Sequence, residues 1–486
     1  MSTKIQKLSE LESILCDDKK TDKGVLDFFK QFKIARLLRP FEIVKTKGYS
    51  ISLLLQTMCI YRLRGISIWA MQKTGIPGIF QGDENGLYRL MNNSKMNWRR
   101  LLISFAKQFM SITKANCDEN NSTTCFILDD TDLVKTGKTI EGVGKIFNHV
   151  SHTSMLGFKL LLLCFWDGKS SIATDFSLHR EAGKKGNYGM TPKELKAQFH
   201  KKRDKGTPGY KRAKELDEEK PKVAVLMIKR AVKNGMLASY VLMDSWFVSE
   251  FLIKSIRSIK NGAMHVLGMC KLDMRKFTVY GKEMNSTQII AKYSRKFCKY
   301  SRKFKSQYFT VVCDYKGVKV KLFYIKYHNS QRWTLLLTTD LALKFARAME
   351  LYQIRWTMEV VFKECKQYLR LGACQNTDFD GQIADITIAF ITHTILSLQR
   401  RFVAYETMGE LFRETQQHLI ELNLWERILE VFFKMLRQLL SILSFDVDQA
   451  IEKIMKDDNA SRQLITMLNA LKDNENNCAN SVKNVA

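Results

Sequence analysis

Two short apolar runs, each of which ends in aspartate, constrain the fold of this chain most strongly. Residues 123–128 lead into Asp129 and Asp130, and residues 238–243 lead into Asp244. Short runs of apolar and β-branched residues with polar residues at their ends predict buried strands. Such strands would deliver their carboxylates to the rim of a sheet. Two local alternatives exist, because Asp130 could be a turn residue and Asp244 could cap a following helix.

A later segment predicts an amphipathic helix with one polar face. At 3.6 residues per turn, Tyr352, Arg355, Glu359, Lys363 and Lys366 lie on the same side of such a helix. Apolar residues repeat on another side, namely Ile354, Met358, Val361 and Cys365. A carboxylate in line with three cations and a phenol can hold a divalent metal while its neighbours bind phosphates. The alternative is a solvated surface with Arg355–Glu359 and Glu359–Lys363 pairs.

The order of strand and aspartate, strand and aspartate, then helix and glutamate resembles the insertion-sequence-four-type DDE transposases. The tyrosine–arginine–glutamate–lysine signature of that family matches Tyr352, Arg355, Glu359 and Lys366 at the family spacings. The matching motifs span about half of the chain, from about Phe126 to Lys366. The resemblance implies an α/β fold, with an RNase H-like catalytic core, a β-rich insertion and flanking helical N- and C-terminal regions.

The resemblance also implies an enzyme that cleaves transposon ends and transfers the strands into target DNA, by cut and paste through a hairpin intermediate. Asp130, Asp244 and Glu359 would hold two Mg²⁺ ions, which Mn²⁺ could replace. Phosphodiester cleavage commonly uses two metal ions about 3.5–4 Å apart. The family ligand stands immediately before the position of Thr131, which selects Asp130. Asp129 is the alternative, since neighbours in a strand face opposite ways.

By the same resemblance, several residues would contact DNA. Tyr352, Arg355 and Lys366 would position the phosphates that flank the cut, and Lys363 is a weaker candidate. Trp333 lies in a predicted strand similar to the family strand whose tryptophan stacks against a flipped base. The alternative for Trp333 is packing inside the protein core.

The charge of the chain agrees with a nucleic-acid substrate. It contains 78 Lys and Arg against 49 Asp and Glu, a formal net charge of +29. Residues 262–332 hold sixteen basic and three acidic residues, whereas residues 373–486 hold eleven basic and sixteen acidic residues. Binding to a polyanion should therefore depend strongly on salt and should not centre on the C-terminal region.

The sequence divides into five predicted regions. Residues 1–120 form a helical domain that includes the candidate phosphate contact Trp98-Arg99-Arg100. The resemblance implies that this domain recognises the transposon end, and a purely structural helical domain is the alternative. Residues 121–258 and 341–372 form the two parts of the core, and the second part contains the signature helix. Between them, residues 259–340 form a basic insertion whose strands cover 264–272, 277–280, 307–313, 318–326 and 333–338. Residues 373–486 are helical, and their apolar stripe from Trp425 to Leu440 would pack in the core or form a dimer contact.

The expected partners are the double-stranded DNA of transposon ends and target, and a homodimer or higher oligomer. No nucleotide cofactor is expected, because Gly137-Lys138-Thr139 lacks the first glycine of a phosphate loop. Eleven cysteines without a Cys-x-x-Cys pair indicate a reducing compartment. No signal peptide or membrane segment is predicted, so the expected location is the cytoplasm of a prokaryote, at the nucleoid when DNA is bound. Competing functions are a non-catalytic DNA-binding protein and a metal-dependent nuclease without strand transfer.

Overall fold

A computed structural model of the protein describes residues 33–44, 47–63, 65, 67–69, 84–115, 123–148, 151–328 and 330–402. The chain divides into two units, and all of the described residues belong to the unit that comprises residues 29–74 together with residues 82–413. The predicted apolar stripe between Trp425 and Leu440 and much of the predicted N-terminal domain lie outside the described residues.

Helices precede the sheet along the chain. They are α1 (Ile34–Leu38), a 3-10 turn (Arg39–Val44), α2 (Ile51–Leu63), α3 (Glu84–Met91) and α4 (Trp98–Ala115). Arg99 in α4 donates to Asp175 at 2.8 Å and to Glu215 at 2.6 Å, and Trp98 is buried. Arg99 thus ties α4 to residues of the core, and of the three residues of the predicted phosphate contact only Arg100 is exposed. The contact itself stays a prediction.

The core is a sheet of mixed direction covered by helices. Its strands are β1 (Cys125–Val134), β2 (Gly144–Asn148), β3 (Thr153–Trp166), β4 (Ser171–His179), β5 (Tyr240–Met243) and β6 (His265–Cys270). Strands β1, β5 and β6 run parallel and adjacent to one another, while β3 pairs antiparallel with β1, β2 and β4. The helices between β4 and β6 are α5 (Pro192–Lys196), α6 (Pro208–Lys214), α7 (Lys220–Lys233) and α8 (Glu250–Ser258). The predicted α/β class with an RNase H-like core is confirmed.

The insertion extends this sheet instead of forming a separate layer. Its elements are β7 (Lys276–Val279), β8 (Lys282–Asn285), α9 (Ser286–Phe297), β9 (Lys299–Ser301), β10 (Ser306–Tyr315), β11 (Val318–Tyr327) and β12 (Trp333–Thr338). Strand β12 pairs antiparallel with β6, so the hydrogen bonding continues from the core into the insertion. Strand β6 was predicted within the insertion, but its parallel pairing with β5 makes it part of the core sheet.

The turn between β10 and β11 has the geometry that its sequence favours. Lys316 and Gly317 have φ of 54° and 85°, and the N–H of Gly317 donates to Oδ1 of Asp314 at 2.7 Å. Two successive residues with positive φ match the twist of a tight hairpin, and glycine adopts the second at no steric cost. The hairpin predicted at Tyr315-Lys316-Gly317 is thus present.

Three helices follow the sheet: α10 (Phe345–Gln353), α11 (Trp356–Tyr368) and α12 (Phe379–Phe402). The single helix predicted from Tyr352 to Lys366 is interrupted at Ile354 and Arg355, although both keep helical dihedral angles. By length and composition α12 could cross a bilayer, but 94% of its most apolar window is buried inside the protein. It therefore serves as a central core helix in this fold.

Candidate active site

The pairing of β1 with β5 places two aspartates side by side, Asp244 just after the end of β5 and Asp129 within β1. The expectation that the first strand ends at its aspartates was wrong, because β1 continues to Val134 in pairing with β3. Leu128 lies beside Met243 in this parallel pair, so Asp129 and Asp244 follow at the same level of adjacent strands. Residues at matched positions in parallel strands face the same side of the sheet. The register therefore brings Asp129, and not Asp130, into line with Asp244.

A glycine in β6 allows the turn after Asp244 to lie close to the sheet. A Cβ on Gly268 would lie 2.6 Å from Cγ2 of Val248 and 2.9 Å from Cγ of Met243. Such contacts are far below van der Waals distance, so a larger residue would push this turn outward. The position of Asp244 consequently depends on the small size of residue 268.

Arg355 connects the sheet edge to the glutamate of α11. Its Nη1 donates to Oδ2 of Asp129 at 2.8 Å, and its Nη2 donates to Oε1 of Glu359 at 2.8 Å. The guanidinium also lies 5.7 Å from the ring centre of Tyr352, and both Arg355 and Tyr352 are 8% exposed. One buried cation thus neutralises much of the charge of two carboxylates.

These groups line a cavity of about 410 Å³, whose walls are Asp129, Asp130, Thr131, Asp244, Arg355, Glu359 and Phe362. Burial raises the pKa of Asp129 to about 6, although the charge of Arg355 opposes this change. The nearby Asp130 and Asp244 raise the pKa of Asp129 further. The cavity therefore contains negative charge that the protein compensates only in part.

Asp130 also lines the cavity but pairs with a different cation. Its carboxylate pairs with Nζ of Lys220, the first residue of α7. The same Nζ lies 5.4 Å from the ring centre of Trp246, which is 57% exposed. Lys220 and Trp246 thus lie beside Asp130, although neither lines the cavity. The contact between Lys220 and Asp130 was not predicted from the sequence, because it joins residues ninety positions apart.

The remaining predicted site residues divide into two groups. Lys366 reaches the sheet edge, where its Nζ donates to Oγ1 of Thr131 at 2.7 Å. Lys363 is exposed and does not line the cavity. Trp333 is partly buried, meets the ring of Phe309 edge-on at 5.4 Å and is also absent from the cavity wall. The structure brings Lys366 to the cavity edge and leaves Lys363 and Trp333 outside it.

The donor set of the cavity suits hard divalent cations. Asp129, Asp130, Asp244 and Glu359 offer carboxylate oxygens, the ligand type that Mg²⁺ and Mn²⁺ prefer. Among the described residues, no three acidic, histidine or cysteine side chains converge as a ready metal centre. Arg355 lies between Asp129 and Glu359 and holds each of them. Burial is the main cause of the raised pKa of Asp129, and an added cation would favour its charged form again.

His179 is a buried histidine behind Asp130 and gives folding a pH dependence. Burial and the charge of Lys220 lower its pKa to about 4, and its ring contacts Oγ of Ser177 at 2.7 Å. An unfolded histidine binds a proton below about pH 6.5, so this stabilisation is complete above that pH and is lost as pH falls towards 4.

We expect the free energy of unfolding to contain a contribution from His179 that falls by about 2 kcal/mol between pH 7 and pH 5. Urea unfolding of the wild type and of His179→Gln at both pH values measures this contribution as a difference of differences. An identical pH response in the two proteins would contradict the prediction.

Two family models match the chain. The model described as "DDE superfamily endonuclease" matches residues 63–261, and the model described as "Transposase DDE domain" matches residues 185–395. The first match includes Asp129, Asp130 and Asp244, and the second includes Asp244 and Glu359. A comparison with curated proteins gives no match. The two family matches indicate a transposase or a DDE-type endonuclease, a nuclease-type enzyme of a class that generally uses divalent metals.

Proposed function

We propose that this chain is an insertion-sequence-four-type DDE transposase that cleaves transposon ends and joins the freed strands to target DNA. The observation that supports this most is the cavity in which Asp129, Asp244 and Glu359 meet Arg355. Acidic residues that can hold cations stand there beside basic groups that can bind phosphates. A purely structural ion-pair cluster would not need a cavity of about 410 Å³ open to a ligand.

Each residue of the site has a role in this proposal. Asp129, Asp244 and Glu359 would hold divalent metal ions, Mg²⁺ or Mn²⁺, and Asp130 is the alternative first ligand. When bound, such ions activate the attacking oxygen and stabilise the leaving oxygen. Arg355 presents a planar pair of N–H donors that matches two phosphate oxygens.

Lys366 and Tyr352 would position the DNA strand around the cut. The ammonium of Lys366 lies at the sheet edge beside Thr131 and can bind a flanking phosphate as a point charge. Tyr352 is largely buried against Arg355, and burial raises the pKa of its phenol to about 12. The phenol thus stays protonated at neutral pH and can donate a hydrogen bond to a phosphate oxygen.

The proposed reaction consists of hydrolysis followed by transesterification. Water attacks the phosphorus at the transposon end, a new P–O bond forms, and the bond to the 3′ oxygen breaks to give a 3′-hydroxyl. In the hairpin route this hydroxyl attacks the opposite strand, and a second hydrolysis reopens the end. The 3′-hydroxyl then attacks target DNA, exchanging one phosphodiester bond for another.

We also propose that the protein acts in the prokaryotic cytoplasm, with at least two subunits on the paired transposon ends.

Cleavage of a labelled duplex that carries the end of the element beside this gene tests the proposal. The wild type should nick this duplex at a fixed position with Mg²⁺ or Mn²⁺ and should give joined product with target DNA, and Glu359→Gln should do neither. DNA affinity and thermal unfolding of the variant control for misfolding. If the wild type binds the duplex without cutting it, a non-catalytic DNA-binding protein is favoured. If it cuts without joining, a metal-dependent nuclease without strand transfer is favoured.

The exposed position of Trp246 leads to a prediction about DNA binding. An exposed indole beside the cavity can replace the stacking of a displaced base, worth about 1–3 kcal/mol per base. We expect Trp246→Ala to weaken binding of a duplex with unpaired bases at the cut by about tenfold or more. Fluorescence anisotropy measures this, with Phe251→Ala, another exposed aromatic, as the control. If Trp333→Ala alone showed the loss, the predicted role of Trp333 would be favoured over that of Trp246.

A further inference from the structure

The insertion contains the same six residues twice in succession. Residues 292–297 and residues 299–304 both read Lys-Tyr-Ser-Arg-Lys-Phe, and one cysteine separates them. We call residues 292–305 the tandem basic segment. The first copy forms the end of α9, and the second forms β9 and the turn that leads into β10. One hexapeptide therefore adopts two backbone conformations within a single insertion.

Both copies make the same contact between lysine and aromatic ring despite their different backbones. Nζ of Lys296 lies 5.5 Å from the ring centre of Phe297, and Nζ of Lys303 lies 5.6 Å from that of Phe304. In the first copy Lys292 also lies 5.4 Å from the ring of Tyr293. Cations held over aromatic faces remain available to a second, anionic partner.

The tandem basic segment has a large charge excess. It contains seven basic residues, and no acidic residue occurs between Glu283 and Asp314. Lys303 pairs with Glu350 at 2.7 Å. Among the residues that the structure describes, the other six have no carboxylate partner within 4 Å, and all six are exposed: Lys292, Arg295, Lys296, Lys299, Arg302 and Lys305.

Local structural roles explain only part of this pattern. Arg295 and Lys296 lie in the last turn of α9, where cations stabilise the helix dipole. Lys299 lies on a short edge strand, where lysine opposes unwanted strand pairing. Neither role requires Phe297 and Tyr300 to be 44% and 57% exposed. Exposed aromatic rings between unpaired cations are instead typical of surfaces that bind nucleic acid.

The second copy is attached to the helix that leads into the candidate active site. The ring of Phe304 lies 5.9 Å from that of Phe345 at the start of α10, in an edge-to-face arrangement. Glu350, the partner of Lys303, lies in the same helix two residues before Tyr352. The tandem basic segment is therefore fixed to the element that contains the tyrosine of the signature.

We propose that the tandem basic segment binds the sugar-phosphate backbone of the DNA that enters the active site. The six unpaired cations contact phosphates, and Phe297 and Tyr300 pack against sugars or frayed bases. The inference rests on the proposed function for the identity of the DNA. The tandem basic segment is separate from the candidate active site, because none of its residues lines the cavity.

The salt dependence of DNA affinity tests this surface in the full-length protein. Each phosphate contact that is lost should reduce the slope of log affinity against log salt by about 0.9. Arg295→Gln/Lys296→Gln should lower the slope by about 2, and adding Lys299→Gln and Arg302→Gln should lower it by about 3–4. The matched control is Lys229→Gln/Lys233→Gln, which removes the same charge from exposed positions of α7. A slope change in the repeat variants no larger than in this control would overturn the proposal.

Cleavage measured on the same duplex separates this proposal from the proposed function. If the wild type cleaves and the repeat variants bind like the control, only the surface assignment fails. If the wild type binds without cleaving and the variants of the tandem basic segment lose the salt slope, the catalytic proposal fails and the surface assignment remains.

Inorganic phosphate as a competitor shows whether the tandem basic segment recognises the phosphates of DNA or any small phosphate anion. Displacement of the duplex by millimolar phosphate would mean a small-anion site and would overturn the DNA assignment.

Discussion

Asp129→Asn should lower metal-dependent DNA cleavage by about a thousandfold, whereas Asp130→Asn should lower it by less than about tenfold. Loss of a metal-binding carboxylate removes several kcal/mol of transition-state stabilisation, and each 1.36 kcal/mol is a factor of ten in rate. Asp129 is level with Asp244 and shares Arg355 with Glu359, while Asp130 faces Lys220. The two variants are matched in size and charge and differ by one position in the chain.

Single-turnover cleavage with Mn²⁺ and a titration of metal affinity distinguish the two aspartates. Asp129→Asn should lose metal affinity and cleavage together, and both variants should keep most of their affinity for duplex DNA. Thermal unfolding checks that each variant is folded. If Asp130→Asn were the inactive variant and Asp129→Asn retained cleavage, Asp130 would be the first ligand, as the family spacing predicts.

Arg355→Ala should weaken binding of the transposon end by at least about tenfold and should also destabilise the protein. It removes a guanidinium that donates hydrogen bonds to Asp129 and Glu359, and leaves both carboxylates without this cation. Removing one partner of a buried ion pair costs about 3–5 kcal/mol, but Glu359 is 41% exposed, so we expect about 1–3 kcal/mol. The pKa of Asp129, already about 6, should rise further.

Arg355→Lys is the informative control for this variant. It keeps the charge but cannot form both 2.8 Å contacts with the planar geometry of arginine. We expect Arg355→Lys to recover most of the stability and little of the end binding, measured by urea unfolding and by anisotropy. Equal recovery of both properties would show that Arg355 acts only through its charge.

The sequence predicts the class of fold and the elements that meet at the site, because these depend on local patterns. The runs before Asp129 and Asp244 are strands, although β1 continues past its aspartates to Val134. The apolar side of α11 is buried at Met358, Val361 and Cys365. Strand alternation also predicts that Asp129 and Asp130 face opposite ways. It cannot predict which of them faces Glu359, because this depends on the register between β1 and β5.

Other features of the site depend on contacts that no local pattern shows. The break between α10 and α11 falls at Ile354 and Arg355, whose dihedral angles remain helical, so spacing alone cannot reveal it. Within the insertion, α9 was not predicted, although Asn285 and Gln288 form a capping box at its start. The tandem repeat is visible in the sequence, but its period of seven is far shorter than the periods of repeat folds.

The continuous sheet makes the insertion inseparable from the catalytic core. Strand β6 is paired on one side by β5 and on the other by β12, the last strand of the insertion. Excising the insertion would leave an apolar strand with open backbone donors and acceptors, which favours pairing between molecules and aggregation. A minimal nuclease cannot therefore be obtained from this protein by trimming. Any shortened form must supply a substitute strand at the free edge of β6.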